Sequence, residues 1–442
     1  MSTIATQAAA RNIDLDSALT DARALFVKRN PNSGAIYQEA LGALPGGNTR
    51  TVLFYAPYPL TMSKGDGAYL WDADGHKYAD FLGEYTAGLY GHSHPVIRKA
   101  LDQALDGGIS FGSHNAMEGK LAKLVQARFP SVELLRFTNS GTEANLMAIT
   151  VALVYTGRSK VMVFEGGYHG GVFTFQTGQS PVNGPFNFVI APTYNDIPGT
   201  IALIEKHAKE LAVVAIEPMQ GGGGCIPASP AFLSALREAT TKHGVVLLFD
   251  EVMTSRLSPG GLQALYNVIP DMTSLGKYIG GGMSFGAFGG RADIMSRFDP
   301  RRPDALPHAG TFNNNILTMS AGYAGLSEVY TPQRAVELNA FGDKLRQRLN
   351  ALCRKRDLAM QFTGIGSMMS VHFLKGEIRS IFDARAGSKE LVELFFLDML
   401  ERGIYLARRG MMALSLPITE TDGEALVAAV DEFQTARGSL LK

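Results

Sequence analysis

Lys277 and Asp250 are the residues of this sequence whose types and surroundings could support covalent chemistry on a carbonyl compound. Lys277 stands in the stretch SLGKYIGGG, among apolar and glycine residues. A desolvated lysine has a lowered pKa, and its neutral amine can form a Schiff base. Asp250 ends a very apolar run, where a carboxylate is costly unless a cation such as a protonated ring nitrogen pairs with it. An ordinary surface lysine and a helix-capping aspartate are the alternatives that the sequence leaves open.

The segment RFTNSGTEAN (136–145) could bind an anion, because an apolar run leads through a small polar turn into a helix. Gly141 would let the backbone approach a ligand closely, and the N-terminus of the helix would present free N–H groups to a phosphate. Ser140 and Glu143 also have the spacing of a capping box. The segment could therefore equally do no more than begin the helix.

Tyr168 and His169 are flanked by glycines in the stretch EGGYHGG. The pattern suggests an aromatic ring exposed in a cleft, although by itself it fits a glycine-rich turn with a half-buried tyrosine better. The glycines around Lys277 do not form a phosphate-binding P-loop, because Tyr278 replaces the required Ser or Thr and an upstream glycine is missing. A G-x-G-x-x-G motif is also absent from the sequence, so a dinucleotide-binding fold gains no support.

The elements that would position these residues alternate between strand and helix from about residue 95 to 290. Apolar runs of strand length occur at 134–138, 160–164, 212–216 and 245–249, and helical spacing occurs at 201–210 and 230–243. This pattern predicts a largely parallel sheet covered by helices on both faces. Ligands of such sheets bind at the carboxyl ends of the strands. We therefore expect the residues that follow each apolar run to lie close together.

The remainder of the chain predicts a second, smaller α+β unit. Residues 14–29 have the spacing of an amphipathic helix, and 68–82 form a hairpin pattern around an Asp-Gly pair. Beyond residue 320, long amphipathic helices at 333–352 and 389–402 surround short strands. A length of 442 residues favours more than one domain. We expect residues 1–90 to contribute to the small domain, 91–325 to form the large domain and 326–442 to complete the small one.

The composition narrows the possible partners. Lys plus Arg and Asp plus Glu both number 41, which gives no electrostatic case for nucleic acid or an anionic membrane as partner. Cys225 and Cys353 are too few for a disulfide framework, and we expect free thiols. His92 and His94 lack a ligand cluster around them, so a metal site is not expected. Residues 1–11 lack the apolar core of a signal peptide, and a cytoplasmic location is expected.

The motifs SGTEAN, GGYHGG, EPMQG, FDEVM, LGKYIGGG and GTFNNN, in this order, resemble the class III aminotransferases, within the fold type I enzymes that use pyridoxal 5′-phosphate (PLP). The resemblance runs from about residue 35 to the C-terminus. It implies a large domain with a mostly parallel sheet flanked by helices, plus a smaller α+β domain. Within the class, the sequence is most similar to the branch of glutamate-1-semialdehyde aminomutases and aromatic β-amino acid aminotransferases. The stretches NTRTVLFYAPYPL, DEVMTSR and AGTFNNN resemble β-phenylalanine aminotransferases in particular.

The resemblance implies roles for the residues around the PLP ring. Lys277 would form the Schiff base with the cofactor and transfer the proton. Asp250 would pair with the pyridinium nitrogen, whose protonation makes the ring an electron sink. Tyr168 would stack on the ring and Val252 would pack against its other face. His169 would lie beside the cofactor without acting as an acid or base.

The resemblance also implies a phosphate site that two subunits share. Ser140, Gly141 and Thr142 would hold the phosphate, and Thr311 would reach the phosphate in the neighbouring subunit's site. That last role requires a homodimer. Glu217 of the EPMQG motif would support the site from behind the residues that contact the cofactor.

Arg50 and Arg409 match the two arginines that β-phenylalanine aminotransferases are thought to use for substrate carboxylates. A guanidinium binds a carboxylate through two parallel hydrogen bonds, a geometry that lysine cannot match. Arg408 stands beside Arg409 and is the alternative candidate. The resemblance thus implies transfer of an amino group from a β-amino acid, aromatic in type, to 2-oxoglutarate or pyruvate.

A glutamate-1-semialdehyde aminomutase, which exchanges an amino group and a carbonyl within one molecule, is the alternative function. The stretch AGTFNNN departs from the AGTLSGNP pattern usual in such aminomutases, which makes the aminotransferase the favoured prediction.

Overall fold

The computed structural model describes residues 14–442, which contain α-helices and β-strands throughout. The helices are α1 Leu15–Arg29, α2 Pro31–Leu41, α3 Pro95–Asp106, α4 Ala116–Arg128, α5 Gly141–Thr156, α6 Ile197–His207, α7 Pro230–His243, α8 Gly261–Leu265, α9 Ala292–Met295, α10 Ile316–Ala324, α11 Pro332–Lys355, α12 Ile381–Arg385, α13 Lys389–Glu401 and α14 Glu420–Arg437. The strands are β1 Met62–Asp66, β2 Tyr69–Asp72, β3 Lys77–Asp80, β4 Leu134–Thr138, β5 Lys160–Phe164, β6 Asn187–Ala191, β7 Leu211–Ile216, β8 Met219–Gln220, β9 Ile226–Pro227, β10 Val246–Asp250, β11 Met272–Gly276, β12 Gly286–Gly290, β13 Gln361–Ile365, β14 Met368–His372, β15 Ile404–Tyr405 and β16 Met411–Ala413.

Seven strands form the main sheet in the order β4-β12-β11-β10-β7-β5-β6. Strand β12 runs antiparallel to both of its neighbours, β11 and β4, and the other pairs in the sheet are parallel. Strands β7 and β10 are buried along their whole length, as expected for a sheet with helices on both faces. The carboxyl ends of the six parallel strands therefore share one edge of the sheet.

The boundaries of most elements follow from the sequence, and α6 is an instructive exception. Its helical spacing predicted residues 201–210, whereas the helix runs from Ile197 to His207. The side chain of Asp196 accepts a hydrogen bond from the Gly199 N–H, and Pro198 occupies the first turn. Both features start a helix, and here they outweigh the apolar spacing further along the chain.

The N-terminal and C-terminal parts of the described chain join in one sheet. Strands β1, β2 and β3 form an antiparallel meander, which confirms the hairpin predicted around Asp74-Gly75. Strand β15, from the C-terminal part, pairs in parallel with β3. A third sheet combines β13, β14 and β16. Helix α1, close to the predicted residues 14–29, packs against α13.

Residues 1–11, on which the expectation of no signal peptide rests, lie outside the described residues. Between residues 14 and 442, the helices lack the combination of length and apolar character that crossing a membrane would require.

Candidate active site

Five strands of the main sheet deliver polar residues to its carboxyl edge. Strand β4 leads to Ser140, β5 to Tyr168 and β7 to Glu217. Strand β10 ends at Asp250, and β11 is followed directly by Lys277. Four of these strands match the predicted apolar runs, and β11, which leads to Lys277, is a strand that those runs had not predicted.

Lys277 reaches this edge through an unusual backbone conformation. It follows Gly276 at the end of β11 and has φ of 56°, in the left-handed region that residues with a side chain rarely adopt. Its side chain is partly buried. Burial lowers the pKa of the amine, Arg50 and Arg409 lower it further, and the opposing charges of Glu84 and Asp250 do not reverse the shift. A lowered pKa increases the fraction of neutral, nucleophilic amine.

Asp250 is buried and its carboxylate is held by three hydrogen-bond donors. Oδ1 accepts from the Val252 N–H at 3.1 Å. Oδ2 accepts from Asn145 Nδ2 at 2.8 Å and lies 2.9 Å from Nδ1 of His169. The carboxylate does not cap a helix, the alternative that the sequence had left open. Its surroundings instead fix its orientation at the strand end.

Asn145 and Ser274 complete this buried network, and neither was singled out from the sequence. Ser274 Oγ donates to Asn145 Oδ1 at 2.6 Å, and Asn145 Nδ2 donates to the His169 carbonyl at 3.0 Å as well as to Asp250. The signal that could have revealed Asn145 is a polar amide on the face of α5 that otherwise buries alanine, isoleucine and valine.

Val252 lies between two glycines that line the edge of the sheet. A Cβ atom added at Gly141 would come within 2.8 Å of the Val252 side chain, and one at Gly276 within 3.0 Å. Larger residues at either position would push the valine out of place. The valine side chain thus lies beside Gly276, the residue before Lys277, and beside Gly141 at the start of α5.

The SGTEAN segment begins helix α5, as one of its two interpretations predicted. Ser140 Oγ accepts a hydrogen bond from the Glu143 N–H at 3.1 Å, so Ser140 caps the helix. The Glu143 carboxylate does not close a capping box on Ser140 but accepts from the Asn139 N–H at 2.9 Å. Gly141 and Thr142 stand in the first turn, where N–H groups lack acceptors inside the helix and favour an anion.

Tyr168 and Glu217 are linked through the backbone. The Glu217 carboxylate accepts hydrogen bonds from the N–H groups of Tyr168 and Gly221, at 2.9 and 3.1 Å. Burial raises the pKa of Glu217 to about 7. Tyr168 is 44% exposed, as expected for an aromatic residue in a cleft, whereas His169 is buried.

Arg50 and Arg409 both lie over the ring of Tyr85, with their Cζ atoms 6.0 and 5.3 Å from its centroid. Arg50 also pairs with Glu84. Arg408 points elsewhere, because its guanidinium pairs with Glu393 at 3.3 Å. The structure therefore brings Arg409, and not Arg408, to the mouth of the site. Sequence reasoning had missed both Glu84 and Tyr85.

Thr311 is exposed in the loop before α10. Two residues further on, Asn313 Oδ1 accepts a hydrogen bond from Asn139 Nδ2 at 3.0 Å, which ties the loop to the segment ahead of Ser140. Next to it, Asn314 donates to the Ser113 carbonyl at 2.9 Å. Thr311 does not contact the Ser140 turn of its own chain through any of these bonds.

His92 and His94 have structural partners, and the two cysteines are unpaired with each other. Nε2 of His92 lies 3.0 Å from Asp80, and His94 caps α3. Cys225 and Cys353 are buried free thiols, and burial raises their pKa values to about 12 and about 11. Within residues 14–442, His, Cys, Asp and Glu side chains form no cluster of three or more suited to a metal ion.

These residues fit PLP by the chemistry of their donors. A partly buried amine of lowered pKa suits the cofactor aldehyde, and the oriented Asp250 carboxylate suits a pyridinium N–H. The first turn of α5 suits a phosphate, and Gly141 provides the close backbone approach. A mixed, mostly parallel sheet with this donor set at its carboxyl edge defines a fold type I PLP enzyme.

The chain belongs to the class III aminotransferases, whose family model matches residues 54–436. Beta-phenylalanine transaminase from Variovorax paradoxus is 55% identical over 427 residues, which cover 97% of this chain and 98% of that protein. A solved structure of a beta-phenylalanine aminotransferase from Variovorax paradoxus superposes with a TM-score of 0.96 at 55% identity, covering 97% of this chain and 99% of that chain. Glutamate-1-semialdehyde 2,1-aminomutase from Alkaliphilus metalliredigens is 36% identical over 399 residues, covering 86% of this chain and 90% of that protein.

The comparisons confirm the family, the fold class and the cofactor predicted from the sequence. The chain is a PLP-dependent transaminase, and its substrates are amino acids and keto acids. The aminomutase is the more distant of these relatives.

Proposed function

We propose that this transaminase takes its amino group from an aromatic β-amino acid, such as 3-amino-3-phenylpropanoate, and gives it to 2-oxoglutarate or pyruvate. The observation that carries the proposal is the Arg409 guanidinium, which faces the site beside Tyr85 and forms no ion pair with a carboxylate of residues 14–442. A guanidinium in that environment favours a carboxylate from the substrate. The identity of 55% to a beta-phenylalanine transaminase supports the aromatic β-amino acid as donor.

Lys277 is the residue that binds the cofactor and then moves the proton in this proposal. When bound, PLP withdraws electrons from the substrate bond that must break. Burial lowers the pKa of Lys277, which favours a free amine, and Nζ would accept the proton released from the substrate carbon and donate it again in the following step. Its left-handed backbone directs the amine from the strand end into the cleft.

Asp250 stabilises positive charge on the ring nitrogen, and its network of three donors keeps the carboxylate oriented for that role. Tyr168 and Val252 would contact the two faces of the ring, and Nδ1 of His169 lies 2.9 Å from the Asp250 carboxylate and holds it in place. Glu217 acts indirectly: its carboxylate accepts a hydrogen bond from the backbone N–H of Tyr168 and so positions that residue.

Ser140, Gly141 and Thr142 bind the cofactor phosphate at the first turn of α5. Thr311 of one subunit contributes to the phosphate site of the other, which requires a homodimer. Exposed apolar side chains near this loop support such an interface: Phe312 is 59% exposed, and Ile109 and Phe111 lie in the neighbouring segment with 54% and 50% exposed.

The division into a small domain (1–90 and 326–442) and a large domain (91–325) belongs to this proposal. The pairing of β15 with β3 supports it, because it joins the two parts assigned to the small domain. A cytoplasmic location likewise remains a prediction from the sequence.

A panel of α-, β- and ω-amino acids, each assayed with 2-oxoglutarate and with pyruvate, tests the proposed substrates. We expect 3-amino-3-phenylpropanoate to give the highest kcat/KM and its amine analogue without a carboxylate to be much poorer. A preference for α-amino acids would contradict the proposal. The aminomutase alternative predicts conversion of a single substrate without added keto acid, which the same purified protein can reveal.

A further inference from the structure

The two guanidinium groups at the mouth of the site differ in their charge environment. Nη1 of Arg50 lies 2.6 Å from Oε1 of Glu84. Arg409 has no carboxylate partner within residues 14–442, and its side chain contacts the Met411 sulfur at 3.6 Å and the Tyr85 ring. A carboxylate that enters the cleft therefore meets one free guanidinium and one that is already neutralised.

The position of Glu84 is imposed by a strained stretch of backbone. In residues 83–86 every φ is positive, with 45° at Glu84 and 51° and 82° at the two residues that follow. Three consecutive non-glycine residues in this region persist only where their surroundings hold them, and such strain concentrates at functional sites. Asp80 Oδ1 holds the turn by accepting hydrogen bonds from the N–H groups of Leu82 and Gly83, at 2.9 and 3.0 Å.

The turn directs two consecutive side chains to the same place. Glu84 reaches Arg50, and the ring of Tyr85 lies beside both Arg50 and Arg409. The charge of Glu84 also acts on Lys277: burial lowers the pKa of that amine, and Glu84 opposes the shift. Glu84 thus adds a negative charge to the cleft in which substrates bind.

We propose that Glu84 determines acceptor specificity by occupying Arg50 in place of a substrate carboxylate. A monocarboxylate is bound by the free Arg409 and leaves the Glu84–Arg50 pair intact. A dicarboxylate engages Arg50 with its second carboxylate only by displacing Glu84, and so binds less tightly than two free guanidinium groups would allow. The inference rests on the proposed function, in which both arginines bind carboxylates.

Unreactive acids test this on the holoenzyme, with glutarate as dicarboxylate and 3-phenylpropanoate as monocarboxylate, by calorimetric titration. Loss of a half-exposed ion pair changes affinity modestly, so Glu84→Gln should tighten glutarate binding about threefold to fivefold and change 3-phenylpropanoate binding by less than about twofold. Glu337→Gln removes the same charge from an exposed pair with Arg334 on α11 and should leave both affinities unchanged. Glu84→Asp, which keeps the charge, should restore the wild-type preference.

Glu84 is proposed to act through Arg50, so the tighter binding of glutarate should vanish when Glu84→Gln is combined with Arg50→Ala. In steady-state assays, Glu84→Gln should lower KM for 2-oxoglutarate and leave KM for pyruvate unaffected. Weaker or unchanged glutarate binding in Glu84→Gln, absence of glutarate binding in every variant, or tightening that survives without Arg50 would each overturn the inference. The donor panel is independent of these ligands, so failure of the β-amino acid proposal is distinguishable from failure of this one.

Discussion

Nδ1 of His169 lies 2.9 Å from Oδ2 of Asp250, and both side chains are buried. Burial would lower the pKa of His169, but the hydrogen bond and the negative charge of Asp250 outweigh that effect and raise it. Asn145 donates to the same carboxylate oxygen at 2.8 Å. His169 and Asn145 therefore hold the Asp250 carboxylate in one orientation.

Asp250→Asn should keep part of the cofactor and lose most of the turnover. The amide can still form hydrogen bonds with its neighbours, but it supplies no negative charge for the ring nitrogen. Removal of one preorganised electrostatic contact typically lowers kcat by about 10²-fold to 10³-fold, and we expect a loss in that range. Steady-state assays at saturating PLP measure it, with Asp357→Asn on the exposed surface as control. Turnover close to wild type would refute the proposed role of Asp250.

Lys277→Ala should abolish covalent attachment of the cofactor. The side chain supplies both the attaching amine and the group that moves the proton, and general acid–base catalysis alone contributes about 10²-fold to 10⁴-fold. Borohydride reduction followed by peptide mapping should label the peptide containing Lys277 in the wild type and label no peptide in the variant. The exposed Lys375→Ala variant should retain the label, the visible absorption of the bound cofactor and full activity. A label at another lysine would contradict the proposal.

The sequence predicted which residues meet at the carboxyl edge of the sheet, because the ends of most strands can be recognised from apolar runs. Asp250 stands directly after such a run, whereas Lys277 follows β11, which the apolar runs had not predicted, and the parallel topology brings the two residues together. Tyr168 could be associated with them only through the resemblance, because its glycine-flanked stretch fitted a plain turn better.

Other parts of the site could not be predicted because they depend on contacts between distant segments or on unusual backbone. The bond from Ser274 to Asn145 joins residues 129 positions apart. The positive φ values at Glu84 and Tyr85 occur at residue types that normally avoid them, so no sequence rule indicates that these side chains meet Arg50.

Arg409→Ala should raise KM for donors that carry a carboxylate far more than for a simple amine without one. Hydrogen bonds to charged groups contribute enough that we expect an increase of about 10-fold to 100-fold. Arg408→Ala is the matched control, because its guanidinium pairs with Glu393 outside the cleft and its loss should leave KM nearly unchanged. Equal effects of Arg409→Ala on both kinds of donor would remove this arginine from the carboxylate site.

Thr311→Ala should weaken PLP binding in a way that mixed dimers can repair. If Thr311 serves the neighbouring site, a dimer of one Thr311→Ala and one Lys277→Ala subunit contains a site with both residues intact. Such mixed dimers should bind PLP more tightly at that site than Thr311→Ala homodimers and recover activity. No recovery would indicate that Thr311 acts within its own subunit or not at all.

Glu217→Gln should remove a pH dependence from folding stability. Burial raises the pKa of Glu217 from 4.5 to about 7, so between these values the folded protein holds a proton that the unfolded chain has released. This contribution is complete below the unfolded pKa and is lost as the pH rises through the folded pKa. The wild type should therefore lose stability between about pH 4.5 and about pH 7 through this group, whereas a glutamine cannot ionise.

Urea unfolding at several pH values measures the difference in free energy of unfolding between Glu217→Gln and the wild type. As the pH rises through that window, the free energy of unfolding of the variant should increase relative to that of the wild type, by an amount on the order of a few kcal/mol. The N–H groups of Tyr168 and Gly221 donate to the two carboxylate oxygens of Glu217, one to each. A glutamine has only one such oxygen, so one of these N–H groups would face the amide NH₂ instead. The resulting loss of folding stability should be the same at every pH. Glu337→Gln, on the exposed face of α11, should show no such rise in its favour. A difference that stays flat from pH 5 to pH 8 would mean that the buried carboxyl is ionised throughout, held by those two N–H groups.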